Sequence, residues 1–343
     1  MRRATVSNIN FSTGASGLSI KELIDGILCP TSPGASSYST VQLTKQFASR
    51  WEGLSGVGAA DSKVVTLTHL VERHGVDAKG VEEAVKNVSC PLSSKDVHDL
   101  RLLLTPRYER LFQTVLSLVP NGMAVIVSLR SDVKALCSAH PQLKALDTAL
   151  QQQLSSWFSS GILEIRRITY SETPAAIIEK IAKRESVHPV KSLEDLRSRL
   201  AGGRRCFAFF HPSLPDEPLV FVHCALVPFM ASSMNDIRDD TIADPCNPSA
   251  AIFYSINSTQ PGLAGVELGN FLIKRVASKL RGEFPTLRTV ATLSPIPRFR
   301  HWLLNKGKTE KNIFGDAEEA KLKFLAATGA PPKENAVNLF VST

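Results

Sequence analysis

The run Gly262-Leu-Ala-Gly-Val-Glu-Leu-Gly269 decides the fold, because it stands between a strand pattern and a helix pattern. Residues 251–256, Ala-Ile-Phe-Tyr-Ser-Ile, have the composition of a buried strand, and a turn signal follows at 259–262. After the run, apolar residues recur at helical spacing. They are Val266, Phe271, Ile273, Val276 and Leu280. The sequence therefore predicts a strand, a glycine loop and a helix.

Such a loop can hold an anion. The first turn of a helix has free N–H groups and the positive end of the dipole, and glycine lets a phosphate approach the main chain. A tight turn without a ligand has the same glycine spacing. Spacing alone leaves both interpretations open.

A second strand follows the helix. Thr289-Val-Ala-Thr-Leu-Ser294 is β-prone, and Pro295 stops it at once. The order strand, loop, helix, strand puts Ser294 at the carboxyl end of a strand, where open α/β sheets bind ligands.

From about Ile165 onward, several blocks stand in a fixed order. They are His188-Pro-Val-Lys191, Arg204-Arg-Cys-Phe207, His211-Pro-Ser213, Glu217-Pro-Leu219, Gly265-Val-Glu-Leu-Gly269, Phe271-Leu-Ile-Lys-Arg-Val276, and Leu293-Ser-Pro-Ile-Pro297 with Phe299. Together they resemble the catalytic domain of the malonyl-CoA decarboxylase family.

The resemblance implies an α+β protein with two domains. An all-α helical bundle at 19–161 precedes an acyl-CoA N-acetyltransferase-like α/β domain at 162–343, which we expect to be incomplete at its C-terminus. Residues 1–18 contain Arg2 and Arg3, are rich in Ser and Thr and lack acids, as an organelle presequence or a disordered terminus does.

The resemblance also implies the reaction, malonyl-CoA to acetyl-CoA and carbon dioxide, with no metal or organic cofactor. It assigns the catalytic serine to Ser294, which bonds to the malonyl group and takes part in proton transfer. It places Glu267 in the active centre; the alternative is that Glu267 caps its own helix. The amides expected to hold the CoA pyrophosphate belong to Ala264, Gly265, Val266, Glu267, Leu268, Gly269 and Asn270.

In the family, the serine's partner is a histidine in an Asn-Pro-x-x-x-Phe-His context beyond the Ser-Pro-Ile-Pro block. No histidine follows His301, so we expect the chain to end before that segment. Two rival functions therefore stay open. One is an inactive CoA-binding homologue, and the other is an N-acyltransferase that uses the same loop.

Four other basic or histidine side chains are weaker candidates for a functional role. His188 and His211 match family positions outside proton transfer and are interpreted as structural. Lys274 and Arg275 either reach CoA phosphates or form a solvated helix face.

The net charge of +8, from 40 Lys and Arg against 32 Asp and Glu, suits an anionic partner. Nucleic acid is disfavoured because the basic residues are scattered. No apolar run is long enough to cross a bilayer, so we expect a soluble protein without a membrane span. Mitochondrion, peroxisome and cytosol stay open as locations, and the presequence pattern favours the mitochondrion.

The six cysteines are dispersed without a CxxC pair, which indicates buried thiols in a reducing compartment, with neither zinc site nor disulfide framework. They are Cys29, Cys90, Cys137, Cys206, Cys224 and Cys246.

The N-terminal part has helical periodicity throughout. A capping box, Ser19-Ile-Lys-Glu22, opens the first helix. Further helices are predicted at 41–51, 64–74, 81–88, 99–118 with a break at Thr105-Pro106, 123–136 and 143–158. A bundle without catalytic residues is a scaffold, a lid or the surface of a homo-oligomer. His69, His74 and His98 are interpreted as surface or packing residues.

The periodicity changes at 162–170, which alternates like a half-exposed strand. Helices are predicted at 174–185 and 192–200, and a hairpin joins 206–210 to 219–226. Residues 232–249 are predicted to be a loop, with acids that lack metal-binding spacing. Short helices are predicted at 298–304 and 317–327.

Overall fold

The computed structural model describes residues 17–29, 38–88, 90–159, 162–238, 247–293, 298 and 301–302. Several predictions lie wholly or largely outside these residues. They concern the segment 1–18, Cys246, the serine Ser294, and the helices at 298–304 and 317–327.

The N-terminal part is helical, as predicted. Its elements are α1 (Ile20–Leu28), α2 (Thr40–Glu52), α3 (Ala59–His74), α4 (Ala78–Asn87), α5 (Ser94–Leu104), α6 (Tyr108–Leu118), α7 (Gly122–Leu136), a 3-10 turn (Pro141–Leu143) and α8 (Lys144–Ser159). Capping boxes at Ser19, Ser39 and Ser93 satisfy the first free amides of α1, α2 and α5.

Three helices begin at least three residues earlier than periodicity predicted, among them α4, which starts at Ala78 and not at 81. Helix α3 starts at Ala59 and not at 64, because its first turn contains Ala59 and Ala60, which are good helix formers outside the apolar pattern. Helix α5 starts at Ser94 and not at 99, because Ser93 and Asp96 cap it. The predicted break at Thr105-Pro106 is confirmed, since it separates α5 from α6.

The C-terminal part alternates strands and helices. Its elements are β1 (Glu164–Ile168), α9 (Ala175–Arg184), α10 (Leu193–Arg199), β2 (Arg204–Phe210), β3 (Val220–Val227), α11 (Met234–Arg238), β4 (Ala250–Ser258), a 3-10 turn (Pro261–Leu263), α12 (Leu268–Glu283) and β5 (Thr289–Thr292). The predicted hairpin and the predicted strand, loop, helix and strand are confirmed.

These five strands form one sheet in the order β1-β2-β3-β4-β5. The first four are antiparallel, whereas β5 runs parallel to β4 because α12 carries the chain back across the sheet. Strands β2 and β3 are buried along their whole length. A helical region followed by a mixed sheet confirms the α+β class.

Strand β4 contains a bulge. His223 pairs with Ser255 and Cys224 with Phe253, so Tyr254 is an extra residue without a partner on β3. A bulge changes the direction in which the following side chains point, and it is common beside functional sites. Both Tyr254 and Ser255 are buried.

The loop prediction for 232–249 is wrong at its start, where helix α11 forms. Asp236 accepts hydrogen bonds from the amides of Ser232 and Ser233, which closes the first turn of this short helix. The interpretation of the cysteines as buried is wrong for Cys90, which is exposed, whereas Cys206 and Cys224 are fully buried.

No helix among the described ranges is long and apolar enough to cross a membrane. The chain divides into two compact units. The first extends to Ile162 and also includes His211–Pro215 and Gln260–Val266; the second contains the remaining residues, and with them the sheet.

Within the helical unit, a buried arginine holds the turn before the glycine loop. Arg130 is inaccessible to solvent, and it donates to Asp147 Oδ1 at 2.9 Å and to the Gly262 carbonyl at 2.6 Å. A Cβ on Gly262 would lie 2.0 Å from the Val127 carbonyl oxygen, so only glycine fits there. Local sequence pattern does not predict this contact, because Arg130 and Gly262 are far apart along the chain.

We expect Asp147→Ala to lower the free energy of unfolding by about 3 kcal/mol, because it leaves the Arg130 charge buried without its carboxylate. The double variant Arg130→Met/Asp147→Leu should lose less, since it removes both charges together. The control is Lys86→Met, whose ion pair with Glu82 is exposed and worth under about 1 kcal/mol. Urea unfolding followed by far-UV circular dichroism measures all three. An Asp147→Ala protein as stable as the control would contradict this assignment.

Candidate functional site

The glycine loop follows β4 directly. After the 3-10 turn, the amide of Val266 donates to the Leu263 carbonyl, and α12 begins at Leu268. The first amides of α12 have no partner within the helix. Ala264, Gly265, Glu267 and Asn270 are exposed, so a ligand can reach the main chain here.

Gly265 is the residue that this loop most requires to be glycine. Its φ of 80° lies in the left-handed region, which is unfavourable for residues with a Cβ. Gln151 Nε2 donates to its carbonyl at 2.7 Å, and this bond belongs to the helical unit. The backbone conformation is therefore fixed before any ligand binds.

Gly269 lies in the first turn of α12, against β4. A Cβ there would lie 2.9 Å from Ile256 Cδ1, the flexible end of that side chain. This glycine thus permits close packing of helix on strand, and a small shift of Ile256 would accommodate alanine.

Glu267 occupies the N-cap position of α12, but its side chain makes no capping hydrogen bond. The alternative that Glu267 caps its own helix therefore agrees with its position, although no side-chain hydrogen bond contributes. Its carboxylate is exposed at the start of the helix, where the dipole favours a negative charge.

Ser294 lies outside the described residues, two positions after the end of β5. The last residue described before it, Leu293, donates its amide to the Phe253 carbonyl at 2.8 Å. The pairing of β5 with β4 thus continues to the residue that precedes the predicted catalytic serine.

Arg275 has a structural role. Its guanidinium donates to the Leu163 carbonyl at 3.0 Å and lies over the rings of Phe209 and Phe271. These contacts account for this cation, about two turns into α12, without a phosphate. Lys274 is exposed, as the solvated-face interpretation requires.

A buried polar cluster lies beside β4, and sequence pattern does not predict it. Glu185, at the end of α9, has a fully buried carboxylate that accepts from the Ser255 hydroxyl at 2.7 and 2.8 Å. It also accepts from the amides of Val187 and His188, at 2.9 Å each. This carboxylate therefore joins the segment after α9 to the residue after the bulge.

Asn257 extends the cluster. Its Nδ2 donates to Ser255 Oγ at 2.9 Å, and its Oδ1 accepts from the Ser186 hydroxyl at 2.5 Å. Ser255 and Asn257 are both buried, and each polar side chain has a partner within the cluster. Only their spacing by two residues, which puts them on one strand face, was visible in the sequence.

His223 lies next to this cluster on β3. Its Nε2 is 3.5 Å from Glu185 Oε2, and its ring stacks on Tyr254 with centroids 5.8 Å apart. Burial lowers the pKa of His223 to about 4, although the Glu185 carboxylate opposes this shift. His223 is therefore neutral at physiological pH.

The structural interpretation of His188 and His211 agrees with their surroundings. His188 lies against the Tyr254 ring, and burial lowers its pKa. His211 is buried, its Nδ1 accepts from the Ser213 amide at 3.1 Å, and burial lowers its pKa too. Each ring is held by its own local contacts.

His69 and His74 pack around a carboxylate that spacing did not reveal. Their Nε2 atoms lie 2.9 and 2.6 Å from Asp25 Oδ1, and Arg73 Nε is 3.5 Å from the same oxygen. Burial raises the pKa of Asp25, but the hydrogen bonds from His74 and His69 outweigh it and lower the pKa. These residue types can hold a metal ion, yet hydrogen bonds and the Arg73 charge account for the cluster. The packing interpretation is confirmed for His74.

Comparison with known families gives two matches in the expected order. The model for the malonyl-CoA decarboxylase N-terminal domain matches residues 74–158, and the model for the C-terminal domain matches residues 161–340. The second match includes the glycine loop, the Glu185 cluster and Ser294.

Two rodent relatives match most of the chain. The mitochondrial malonyl-CoA decarboxylase of Mus musculus is 37% identical over 309 residues, which is 82% of this chain and 61% of the mouse protein. The mitochondrial malonyl-CoA decarboxylase of Rattus norvegicus is 36% identical over 314 residues, which is 84% of this chain and 62% of the rat protein. The chain thus spans about three fifths of the length of these relatives.

Two solved structures have the same arrangement. The malonyl-CoA decarboxylase of Agrobacterium vitis has a TM-score of 0.78 at 34% identity, covering 92% of this chain and 75% of that one. The malonyl-CoA decarboxylase of Rhodopseudomonas palustris has a TM-score of 0.72 at 34% identity, and the match covers 91% of this chain and 70% of that one.

The chain is an α+β protein: helices come first, and then a mixed sheet whose fourth strand leads through an exposed glycine loop into a helix. Both family models, the relatives and the solved structures agree on its relationship. The chain belongs to the malonyl-CoA decarboxylase family. The resemblance drawn from the ordered sequence blocks is thereby confirmed.

The buried imidazole of His223 should make stability depend on pH. In the unfolded chain its pKa is near 6.5, and in the folded chain it is about 4. Between these values the unfolded state binds a proton that the folded state does not, so stability falls as pH falls, by up to about 1.4 kcal/mol per unit. Below pH 4 this contribution is lost completely.

Replacing His223 with glutamine should remove that dependence. We expect His223→Gln to show a shallower decline of unfolding free energy than the wild type between pH 6.5 and 4, whatever its stability at pH 7.5. Chemical denaturation at a series of pH values measures it, with the exposed His98→Gln as the control. Equal slopes in wild type and His223→Gln would rule out this role.

Proposed function

We propose that the chain decarboxylates malonyl-CoA to acetyl-CoA and carbon dioxide, as a carboxy-lyase. The observation that carries the proposal is the exposed main chain around Gly265, which has left-handed backbone geometry immediately before α12. Membership of the malonyl-CoA decarboxylase family supports the choice of substrate.

The CoA pyrophosphate is held by the main chain from Ala264 to Asn270. Amides at the start of α12 supply hydrogen-bond donors, and the helix dipole supplies positive potential. The exposure of most of this segment leaves room for the phosphates. Arg275 bonds to the Leu163 carbonyl and lies over two aromatic rings, so its contacts are with the protein itself.

In the reaction, the bond between the carboxylate carbon and the α-carbon breaks. Its electron pair passes to the α-carbon and is delocalised onto the thioester oxygen as an enolate, while carbon dioxide leaves; a proton then adds to the α-carbon. Ser294 bonds to the malonyl group and takes part in this proton transfer, and Glu267 contributes to the same active centre. A serine needs a partner group for such a transfer. The step requires neither a metal nor an organic cofactor.

The helical part offers a surface for a second copy of the chain. Helices α4 and α5 contact each other, and neither has a buried residue. Apolar side chains are more than half exposed at Val85, Val97, Leu102 and Leu104. We place a homo-oligomer contact here, and the mass of the protein in solution tests it.

We also assign the protein to mitochondria, with the peroxisome and the cytosol as the alternatives. The two rodent relatives carry "mitochondrial" in their names, and the basic, acid-free N-terminal sequence agrees. Imaging a fluorescent protein fused to the C-terminus of the chain tests this assignment.

The purified chain should convert malonyl-CoA to equal amounts of acetyl-CoA and carbon dioxide. Ser294→Ala should lower kcat by roughly 10²-fold or more, because a group that takes part in proton transfer contributes about that much. Ser278→Ala, on the exposed face of α12, is the matched control and should be unchanged. Chromatography of the CoA esters with capture of released carbon dioxide gives both products.

Two results would overturn the decarboxylase proposal. Transfer of an acyl group to an added amine without release of carbon dioxide would favour the N-acyltransferase. Binding of malonyl-CoA without turnover in the wild type would favour the CoA-binding homologue.

The loop assignment predicts a difference between two glycines. Gly265→Ala should weaken CoA binding roughly tenfold, because holding alanine in the left-handed region costs about 1–2 kcal/mol and the loop changes conformation to avoid it. Gly282→Ala, in open space at the end of α12, should bind CoA normally. Calorimetric titration with CoA measures both, and equal affinities would contradict the assignment.

A further inference from the structure

Helix α8 contacts the glycine loop through one side chain. Gln151 Nε2 donates to the Gly265 carbonyl at 2.7 Å. The same nitrogen lies close over the glycine, because a Cβ on Gly265 would be 3.1 Å from it. Leu150 and Leu154, on either side of Gln151 in α8, are closed to solvent, so the donor belongs to a packed helix. It is directed at the residue that has the left-handed backbone.

The same turn of α8 holds the loop at a second point. Asp147 is four residues before Gln151 and therefore lies on the same face of the helix. It accepts from Arg130, which in turn donates to the Gly262 carbonyl at 2.6 Å. Helix α8 thus holds two carbonyls of the loop, Gly262 through Arg130 and Gly265 directly.

The peptide unit between Gly265 and Val266 has both of its polar groups bonded. Its carbonyl accepts from Gln151, and its N–H donates to the Leu263 carbonyl at 3.0 Å. Because a peptide unit is planar, two bonds on opposite sides fix its orientation. Helix α12 begins two residues later, at Leu268, so this orientation sets the direction in which the chain enters the helix.

Loss of the Gln151 bond would leave the peptide held on one side only. Glycine has more accessible backbone conformations than any other residue, so Gly265 would then allow several conformations of the loop. A ligand that binds one of them has to order the loop, and that cost lowers its affinity.

We propose that Gln151 is a positioning residue of the CoA site, whose donor holds the Gly265 peptide in the orientation that presents the first amides of α12 to a phosphate. This inference rests on the proposed binding of CoA at residues 264–270. Gln151 acts through the loop, without touching CoA and without a part in the proton transfer.

The central test is Gln151→Met, which keeps a side chain of similar length but removes the donor. Its affinity for CoA should fall roughly fivefold, because one hydrogen bond that orders the loop is lost. The KM for malonyl-CoA should rise by a similar factor while kcat stays unchanged, since the loop is ordered equally in the bound substrate and in the transition state. Calorimetric titration and steady-state kinetics measure these quantities.

A second variant, Gln151→Glu, keeps the shape of the side chain and reverses the hydrogen-bonding role of the terminal atom. A carboxylate accepts and does not donate at neutral pH, so it cannot bond to the Gly265 carbonyl. It also adds a negative charge beside a loop that binds phosphates. Gln151→Glu should therefore bind CoA more weakly than Gln151→Met.

The matched control is Gln152→Met, the same substitution at the next residue of α8, which is exposed. It should bind CoA like the wild type. Gln151→Met should unfold at the same temperature as this control, because the bond to Gly265 is exposed and water can replace the lost donor. A difference in affinity at equal stability separates positioning from a general role in folding.

A double variant tests whether Gln151 acts through Gly265. Gln151→Met/Gly265→Ala should bind CoA no more weakly than Gly265→Ala alone, because both changes disturb the same peptide and their effects are then not additive. Hydrogen exchange of the free protein gives a readout that does not need CoA. The Val266 amide should exchange faster in Gln151→Met than in Gln152→Met.

Equal CoA affinity in Gln151→Met and Gln152→Met would overturn the positioning role and leave the proposed function in place. Equal exchange of the Val266 amide, or a fall in kcat at unchanged KM, would overturn that role as well. No binding of CoA by the wild type would overturn both the proposed function and this inference, so the two failures are distinguishable.

Discussion

The sheet unit depends on one buried carboxylate. Glu185 accepts hydrogen bonds from the Ser255 hydroxyl and from the amides of Val187 and His188, and its side chain is closed to solvent. Without the carboxylate, the buried Ser255 hydroxyl would lose its acceptor, at about 1–3 kcal/mol, and two partly buried amides would lose theirs. The segment that follows α9 and the bulged part of β4 are therefore fixed together. Asn257 and Ser186 continue this network along the strand.

Because of the bulge, the two faces of β4 make different contacts. On one face, Tyr254 closes a cavity walled by arginines and stacks on His223, while Ser255 bonds to Glu185. On the other face, Ile256 packs against Gly269 at the start of α12. A strand without the extra residue would alternate strictly, and Tyr254 and Ser255 would then point to opposite sides. Because of the irregular register, one strand contacts both the polar cluster and the helix that begins at the glycine loop.

Contacts within the protein itself hold the glycine loop in its conformation. Arg130 holds the Gly262 carbonyl and Gln151 holds the Gly265 carbonyl, both from helices of the first unit. Main-chain groups that are already fixed lose little conformational entropy when they bind a phosphate. Such a loop would suit the CoA phosphates that we propose for it, although it has few charged side chains.

Local pattern alone determined the helical first half, the hairpin and the order of strand, loop, helix and strand, because periodicity, caps and turn residues act over a few positions. The ordered blocks determined the family. Helix α11 and the start of α5 were missed because polar caps set them. The start of α3 was missed because its first turn lies outside the apolar pattern. Only the tertiary structure decided the partners of Glu185, Arg130 and Asp25, and the register shift that frees Tyr254. Those contacts join residues tens of positions apart, and which pairs meet depends on packing across the whole unit, which no short-range pattern encodes.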